Sequence, residues 1–426
     1  MNAHDSERLA GLLNADGYEP TTAPEKADIV IVNTCSVRER AEEKLFARLN
    51  RFRNIDRKKL PIIAVTGCVA QQDGDKIRER APMVDVVLGT QALSKLPQAV
   101  TAALQTREPY VDINPYDNVS FPLGIAARQN SVKAFVTVIE GCNDFCAFCV
   151  VPYTRGHERM RPATEVVAEV EEVASQGYRE VHLLGQIVNH YQAPDIGGCD
   201  FAGLLERVHN VERIERIRFA SPHPRHVTQR MIEAMRDLPK VCRHLHLPVQ
   251  SGSTRMLGLM RRRHTRERYL ALVDEVRQTI PGITLSTDMI VGFPGEKNDD
   301  FAETLTLTNR VQYHSMFSFK YSERPNTLAQ QRMRDSVTDQ EKTDRLNQLQ
   351  ALQKQIQLRL HQRIVGERVQ VLAEAKSRRR PGEYCGRTSG NTTVNFPATA
   401  NCLGSLVDVE VKRAGPHSLW GTPVEP

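Results

Sequence analysis

Apolar segments of strand length alternate with helical segments through the middle of this chain. The strand candidates are residues 134–140, 180–184, 216–220, 244–247, 284–291 and 314–321, and the helix candidates include residues 163–176, 226–235, 265–278 and 299–309. Such alternation favours a parallel sheet covered by helices. Six units of this kind predict a partial barrel related to the TIM type, in which functional sites gather on the loops that follow the strand carboxyl ends.

A shorter series of the same kind comes first in the chain. Buried strands are predicted at residues 27–33, 61–66 and 84–89, and a polar helical stretch at residues 38–51 separates the first two. This pattern predicts a small α/β domain with a parallel sheet. The turn-rich segment 114–130 is interpreted as a linker to the central region.

The last part of the chain has a different character. Residues 339–364 are polar and helical, but their leucines do not keep a heptad repeat, so a connecting helix is predicted rather than a coiled coil. Short strands follow at residues 368–372, 392–396 and 406–412, which predicts a small β-barrel. The fold class is therefore α/β with this barrel appended. The expected domains are residues 1–115, 131–363 and 364–426.

Composition narrows the function classes. The 426 residues are 40% apolar and contain no apolar run long enough to span a membrane. The polar start does not resemble a signal peptide, so the nine cysteines are expected to act as ligands rather than to form disulfides. With 57 Lys and Arg against 51 Asp and Glu, the net charge is +6, which permits a nucleic-acid partner without requiring one.

Three cysteines, Cys142, Cys146 and Cys149, follow the first strand of the central series and are called the triplet below. Thiolates suit iron–sulfur clusters, and a four-iron cluster usually takes four of them. Three ligands leave one iron open, as in reactive rather than structural metal sites. The alternatives are three unrelated buried cysteines or a zinc site. Zinc normally needs a second ligand pair, which the isolated Cys199 and Cys242 do not supply.

The Cys-x3-Cys-x2-Cys spacing behind an apolar strand resembles the signature of radical S-adenosylmethionine enzymes. Over essentially its whole length the chain resembles one branch of them, the methylthiotransferases. Residues 35–44 and the run Val-Val-Pro-Tyr-Thr-Arg-Gly at 150–156 are similar to those of tRNA-modifying members. Residues 386–388, 394–396 and 418–421 resemble the TRAM domain, a small RNA-binding β-barrel.

The resemblance implies that the triplet holds a 4Fe-4S cluster, which binds S-adenosyl-L-methionine at its open iron and cleaves it reductively. Gly185 and Gln186 correspond to a loop that approaches the methionine amino group, although an ordinary strand-to-loop glycine is the alternative. Arg262 matches a family arginine that would hold the methionine carboxylate. Alternatively, Arg261, Arg262 and Arg263 form a solvated patch that contacts RNA phosphate.

Cys35 and Cys68 end the first two predicted strands, where a parallel sheet would bring them together. They could be two small buried apolar residues, as free cysteines often are. The resemblance implies instead an auxiliary 4Fe-4S cluster with three cysteine ligands, of which these are two. The family's first ligand, in a strand ending Gly-Cys-Gln, would lie before Met1 and is absent from this chain. A start assigned at an internal methionine would explain this departure.

The C-terminal barrel carries a positive loop at residues 376–380, for which phosphate contact is the preferred interpretation beside an RNA-modifying domain. Tyr384 and Phe396 are aromatic residues of the same region. Stacking surfaces for RNA bases and ordinary core residues are equally compatible with their positions.

The resemblance implies an enzyme that methylthiolates a prenylated adenosine next to the tRNA anticodon, with S-adenosylmethionine as radical source and methyl donor. A base in a single-stranded loop can be splayed into a pocket. The expected partners are tRNA and a reductase or flavodoxin-type electron donor, and a cytoplasmic monomer without membrane contact is expected. The alternatives are methylthiolation of threonylcarbamoyl-adenosine or of a ribosomal protein, and a non-catalytic RNA-binding protein with a degenerate auxiliary cluster.

Overall fold

A four-stranded parallel sheet forms the N-terminal part of the protein. The computed structural model describes residues 1–36, 40–56, 60–115, 124–128, 130–377, 380–398 and 400–424. The first elements are α1 (Asn2–Ala15), β1 (Ile29–Thr34), α2 (Arg40–Leu49), β2 (Ile62–Gly67), α3 (Cys68–Asp73), α4 (Lys76–Arg80), β3 (Val86–Leu88), α5 (Leu96–Thr106) and β4 (Tyr110–Asp112). The sheet order is β1-β2-β3-β4.

Helices cover both faces of this sheet, and β2 is therefore buried along its whole length. Ile63 and Val65 pack with residues of α2 and α4, whereas Ile62 and Ala64 pack with residues of α1 and α5. The three predicted strands are confirmed with small shifts in their bounds. Neither α1 nor β4 was predicted, because β4 is too short to show alternation and α1 has no side-chain N-cap.

Two predicted segments of this part lie partly outside the described residues. The helix predicted at residues 38–51 is represented by α2, and its first two residues are not described. The predicted linker 114–130 includes residues 116–123 and 129, which are likewise not described. The described parts of the linker carry no helix or strand.

Six parallel strands alternate with helices in the central region, as predicted. Its elements are β5 (Lys133–Thr137), β6 (Ile139–Glu140), α6 (Val151–Arg155), β7 (Arg159–Met160), α7 (Ala163–Ser175), β8 (Glu180–Leu184), α8 (Phe201–His209), β9 (Arg216–Phe219), α9 (Gln229–Asp237), β10 (His244–His246), α10 (Thr254–Leu259), α11 (Arg266–Thr279), β11 (Thr284–Val291), α12 (Asn298–Val311), β12 (Ser315–Lys320) and α13 (Leu328–Arg332). The ladders β5-β8-β9 and β10-β11-β12 are joined by a parallel bridge between Ile217 and Val241. The partial barrel is therefore confirmed.

The first predicted central strand, residues 134–140, is wrong in one respect, because two strands occupy it. Val138 still donates its backbone N–H to Leu184 O at 2.8 Å, but the next two residues leave the barrel sheet. These residues form β6, which pairs in antiparallel fashion with β7. The β6–β7 pair closes the base of the segment 141–158, which carries the triplet.

The long polar helix α14 (Asp339–Arg363) leads into a closed five-stranded barrel, and both were predicted. The barrel strands are β13 (Arg368–Lys376), β14 (Glu383–Thr388), β15 (Thr393–Pro397), β16 (Leu406–Ala414) and β17 (Leu419–Pro423). β14 and β17 were not among the predicted strands. Gly386 interrupts β14, and a Cβ at this position would lie 2.0 Å from Leu372 O. The close approach of β13 and β14 thus requires glycine at this position. Glycine weakens the alternation of side chains from which a strand is predicted.

Tyr384 and Phe396 are core residues of this barrel. Both are buried, and their rings stack with centroids 6.3 Å apart. Their interpretation as stacking surfaces for RNA bases is therefore wrong, because no base can reach either ring. The positive loop at residues 376–380 includes residues 378 and 379, which lie outside the described residues.

The C-terminal barrel packs on the amino ends of the central strands. Lys133, the first residue of β5, forms an ion pair with Glu374 at 3.1 Å. Thr284, the first residue of β11, donates from Oγ1 to Gly390 O at 2.7 Å. Arg216, the first residue of β9, donates to two backbone carbonyls of the barrel. The C-terminal barrel is therefore fixed at the end of the central region opposite to the triplet.

The N-terminal sheet packs near the triplet instead. Arg155 of α6 forms an ion pair with Asp5 at 2.5 Å, and Gln91 donates from Nε2 to Arg155 O at 3.2 Å. Arg8 forms an ion pair with Glu140 at 3.1 Å. The triplet thus lies where the N-terminal and central parts meet. In the described part of the chain, no helix combines the length and apolarity needed to cross a membrane.

Candidate functional site

The triplet lies on a loop that backbone hydrogen bonds hold at several points. Gly141 has φ +75°, and a Cβ there would lie 2.0 Å from a backbone oxygen of the neighbouring segment, so only glycine fits. Cys142 N donates to Gly156 O at 3.1 Å, and Ala147 N donates to Met260 O at 3.0 Å. The loop is therefore anchored both to the residue that follows α6 and to the segment after α10.

The thiols of this loop have the chemistry of an iron–sulfur ligand set. Burial raises the pKa of Cys142 and of Cys149 to about 12, so both are protonated thiols at neutral pH in the metal-free chain. Binding to iron requires thiolates and would release these protons. Among the described residues, no three or more His, Cys, Asp or Glu side chains already converge as a metal site. The fit of a cluster therefore rests on three soft donors carried by one loop.

Arg262 lies beside the triplet and is buried. Its Nη1 lies 3.4 Å from Cys146 Sγ, and its Nη2 donates to Pro248 O at 2.9 Å. The side chain is buried, and its Nε–H has no hydrogen-bond partner among the described residues. Arg261 and Arg263 are exposed. The solvated-patch interpretation is therefore wrong for Arg262 but describes its two neighbours.

Gly185 and Gln186 follow β8, at the same end of the barrel. A Cβ on Gly185 would lie 3.0 Å from Val188 Cα and 3.3 Å from Ile139 Cβ, so close packing within the protein already favours glycine. Gln186 donates from Nε2 to Met1 Sδ at 2.7 Å, which brings the N-terminal part of the chain to this loop. Both residues lie at the end of the barrel that carries the triplet, and their contact with the cofactor stays a prediction.

Asp144 and His223 belong to the site but were not predicted. His223 Nδ1 accepts the N–H of Arg225 at 3.1 Å, so the neutral ring carries its proton on Nε2, which faces Asp144 Oδ2 at 3.6 Å. The side chain of Asn189 binds both backbone groups of His223. Burial lowers the pKa of His223 far below its usual range, and nearby Arg262 adds to this effect. The available sequence signal was the Ser-Pro-His-Pro turn at residues 221–224 after the third central strand.

Unusual backbone conformations concentrate at this end of the barrel. Six of the described non-glycine residues in loops between a central strand and the next long helix have positive φ, between 46° and 78°: Phe145, Ser221, Gln250, Arg261, Arg263 and Asn326. A left-handed conformation costs an ordinary residue free energy, and such residues cluster at functional sites. The strain marks the same loops that carry the triplet and Arg262.

Cys35 and Cys68 follow the ends of two neighbouring strands, β1 and β2. Thr34 pairs with Gly67 at the end of the β1–β2 ladder, so the two cysteines occupy equivalent positions just beyond it. Cys68 begins α3, which packs against α6 of the central region. Burial by itself would lower the pKa of Arg155 in α6, but the charge of Asp5 and its hydrogen bond to Arg155 outweigh burial and raise it. The two cysteines therefore lie on the side of the N-terminal sheet that faces the triplet loop.

Three known protein families match successive parts of the chain. Residues 1–89 match the uncharacterized protein family UPF0004, residues 136–308 the radical SAM superfamily, and residues 362–424 the TRAM domain. A protein named tRNA-2-methylthio-N(6)-dimethylallyladenosine synthase from Bordetella petrii is 47% identical over 426 residues, which cover 98% of this chain and 88% of that protein. The chain belongs to the radical S-adenosylmethionine methylthiotransferases.

Further methylthiotransferases of the same name are similarly close. The protein from Thiobacillus denitrificans is 46% identical over 428 residues, covering 100% of this chain and 96% of that protein. The protein from Yersinia pseudotuberculosis is 43% identical and covers 99% of this chain and 90% of its own length. Membership of this family implies the use of S-adenosylmethionine and a 4Fe-4S cluster, and a tRNA substrate.

Solved structures of more distant radical enzymes share the fold of this methylthiotransferase. The radical S-adenosylmethionine methyltransferase TsrM from Kitasatospora setae, solved with tryptophan and an S-adenosylmethionine analogue, aligns with a TM-score of 0.56 at 12% identity, covering 90% of this chain and 76% of that chain. The same enzyme solved with cobalamin and a 4Fe-4S cluster aligns with a TM-score of 0.54 at 13% identity, covering 95% and 79%. The barrel architecture is therefore that of radical enzymes.

Proposed function

We propose that this chain adds a methylthio group to a prenylated adenosine next to the tRNA anticodon, with S-adenosylmethionine as radical source and methyl donor. The observation that carries the proposal is Arg262, a buried cation 3.4 Å from Cys146 Sγ whose Nε–H has no partner among the described residues. A guanidinium in this state suits a carboxylate ligand beside the triplet. The names of the relatives support the choice of substrate.

The triplet would hold the first cluster, with one iron open to S-adenosylmethionine. When bound, these two groups supply reductive cleavage and a radical that removes hydrogen from the target carbon. The protein supplies position and shielding. Arg262 would bind the methionine carboxylate, and the loop of Gly185 and Gln186 would approach the methionine amino group. The hydrogen bonds that anchor the triplet loop keep these groups in a fixed relation.

Cys35 and Cys68 would hold an auxiliary 4Fe-4S cluster, which carries the sulfur to be transferred. Their equivalent positions beyond Thr34 and Gly67 support this assignment, because two adjacent parallel strands end at the same edge of the sheet. The position of α3 against α6 also supports it, since the sulfur must reach the base activated beside the triplet. Cys35 and Cys68 would be two of its three protein ligands, and a residue other than these two would supply the third.

The wider setting of the reaction follows from the same proposal. The substrate would be a tRNA anticodon stem–loop, and a reductase or flavodoxin-type protein would supply electrons. The protein would act in the cytoplasm as a monomer, with residues 1–115, 131–363 and 364–426 as its domains. The C-terminal barrel would contact tRNA outside the anticodon loop, because it sits at the opposite end of the central barrel.

The proposal is tested by expressing the chain in cells that lack this modification and analysing tRNA nucleosides by mass spectrometry. We expect methylthiolated prenyladenosine with the wild-type chain and none with Cys146→Ala. Cys199→Ala is the matched control, because Cys199 is a buried cysteine in the core of the central domain. Product from Cys146→Ala would refute the assigned cluster. Methylthiolated threonylcarbamoyl-adenosine instead of the prenylated product would refute the proposed substrate.

A further inference from the structure

Two exposed aromatic side chains project from the triplet loop and its neighbouring helix. Phe145, between two cysteines of the triplet, is 37% exposed, and Tyr153 of α6 is 45% exposed. Their rings meet edge to face with centroids 6.0 Å apart. A large aromatic side chain left in water forgoes the free energy that its burial would contribute. Two such rings in contact beside the triplet therefore indicate a binding surface.

The backbone holds Phe145 in this exposed position at a cost. Its φ is +46°, in the left-handed region that residues other than glycine rarely occupy. The anchored cysteine loop on both sides of Phe145 maintains this conformation. Strain of this kind persists where the surrounding structure imposes it, commonly at sites that bind a ligand.

Two cationic side chains lie against the triplet loop at Asp144. Arg225 and Arg263 each place Nη1 near Asp144 Oδ1, at 3.8 Å and 3.6 Å, and Asp144 directly precedes Phe145. Both arginine side chains are largely solvent-accessible, 42% and 51% exposed. One carboxylate between two guanidinium groups leaves the patch with a net positive charge. Aromatic faces near solvent-exposed cations are the combination that binds single-stranded nucleic acid.

We infer that Phe145, Tyr153, Arg225 and Arg263 form a docking surface for the unpaired anticodon-loop nucleotides that flank the target adenosine. This inference rests on the proposed function, and we call these four residues the loop-tip surface. The two rings stack on bases, and the two arginines contact phosphates. Phe145 lies between two cluster ligands in the sequence. A base stacked on its ring is therefore held next to the triplet. The surface therefore positions the target base. It also makes binding depend on unpaired nucleotides in the RNA loop.

The test measures binding of the full-length, cluster-loaded protein to an anticodon stem–loop RNA that carries the prenylated adenosine. We expect Phe145→Leu and Tyr153→Leu each to raise Kd about 10-fold, since stacking on one base is lost. Tyr153→Phe keeps the ring and should bind as the wild type does. Leu104→Ala is the matched control, because Leu104 is an equally exposed apolar residue on α5, 44% exposed. Iron content and RNA-independent cleavage of S-adenosylmethionine verify that each variant is intact.

The cations are tested by the salt dependence of the same binding. Arg225→Gln and Arg263→Gln should each reduce the slope of log Kd against log salt by about 0.7, the value for one phosphate contact on a single strand. A blunt-ended RNA duplex serves as the second probe, and the two aromatic substitutions should leave its Kd unchanged because it offers no unpaired base.

The outcomes separate this inference from the proposed function. Intact Phe145→Leu and Tyr153→Leu variants that bind the stem–loop like the wild type would overturn the loop-tip surface, while methylthio product from the wild type would still support the function. Equal losses on the stem–loop and the blunt-ended duplex would also overturn it, because stacking on unpaired bases would not be the cause. Ring-dependent binding without any product would support the surface and refute the proposed reaction.

Discussion

Arg155 and Asp5 form a buried ion pair that joins the triplet segment to the N-terminal domain. Arg155 donates from Nη2 to Asp5 Oδ2 at 2.5 Å, and both residues are almost completely buried. Arg155 ends α6, directly after the triplet loop, and Asp5 lies in the first turns of α1. The pair therefore fixes the distance between the part that carries Cys35 and Cys68 and the part that carries the triplet.

Asp5→Ala should destabilise the protein by about 3–5 kcal/mol, because it leaves the Arg155 guanidinium buried without its partner. The double variant Asp5→Ala/Arg155→Ala should lose less than the sum of the two single losses. Urea unfolding followed by a probe in the N-terminal sheet measures these free energies. The control is Glu42→Ala, which removes an exposed ion pair with Arg80 and should cost less than about 1 kcal/mol. Additive losses at Asp5 and Arg155 would contradict a direct pair.

Arg218 is expected to hold the C-terminal barrel on the central domain. Its guanidinium donates to Thr388 O at 2.7 Å, to Ser389 O at 3.1 Å and to Glu180 Oε2 at 2.9 Å, all within the buried contact. Arg218→Leu should therefore release the barrel and expose the chain after α14 to protease. Limited proteolysis should yield a fragment that ends near Arg363. Arg230→Leu, at an exposed arginine of α9, is the control and should leave the wild-type digestion pattern. A wild-type digestion pattern in Arg218→Leu would contradict the role of Arg218 in holding the barrel on the central domain.

Ionised Glu180 should make the free energy of unfolding of the central domain decrease at acidic pH. Burial alone would raise the pKa of Glu180, but hydrogen bonding from His182 and the charge of Arg218 outweigh burial and lower it to about 2. A folded-state pKa below the usual value of 4.5 contributes stability above about pH 4.5, and this contribution is lost as the pH falls toward 2. The loss amounts to about 3 kcal/mol for the whole shift.

Unfolding of the wild type and of Glu180→Gln across this pH range checks the prediction. The variant cannot ionise, so its free energy of unfolding should fall less steeply between about pH 4.5 and about pH 2. Parallel curves for the two proteins would show that Glu180 titrates in the folded protein as it does in the unfolded chain. Glu206→Gln, at an exposed glutamate of α8, is the control and should leave the curve unchanged.

The sequence predicted those features that depend on local pattern. Both ends of β11 were predicted correctly, because its apolar run is bounded by polar residues and turns. The ends of α14 were predicted within one residue, because a capping box marks the start of this helix. The spacing of its cysteines marked the triplet, whereas Cys35 and Cys68 were singled out by their positions at the ends of two predicted strands and by the family resemblance. The pairing of Thr34 with Gly67 follows from the general geometry of parallel strands.

Features that depend on contacts between distant segments were not predictable. His223 and Asp144 are 79 residues apart in the sequence numbering and meet only because two barrel loops converge. The burial of Arg262 between two exposed arginines has no signature in a run of three identical residues. Tyr384 and Phe396 were ambiguous for the same reason, since alternation along a short strand does not say which side faces the core.

Tyr269 and Tyr313 support the end of β10 from inside the core, and their hydroxyl groups are 2.9 Å apart. Tyr269 donates in turn to Leu247 O at 3.0 Å, beside the segment whose Pro248 O binds Arg262. Tyr313→Phe should cost about 1 kcal/mol, because one buried hydrogen bond is lost. Tyr269→Phe should cost more, because it leaves both Leu247 O and the Tyr313 hydroxyl without this partner. Thermal unfolding should give this order, and the reverse order would contradict the chain of hydrogen bonds.

Arg262→Lys should weaken binding of S-adenosylmethionine about 10- to 100-fold while the cluster is retained. Lysine keeps the charge near Cys146, but a single ammonium group cannot bind Pro248 O and also present the equivalent of the Nε–H. Calorimetric titration of the cluster-loaded variant with S-adenosylmethionine measures the loss, and iron content shows that the cluster is present. Arg261→Lys changes the exposed neighbour and should bind as tightly as the wild type. Wild-type affinity in Arg262→Lys with full iron content would rule out Arg262 as the carboxylate ligand.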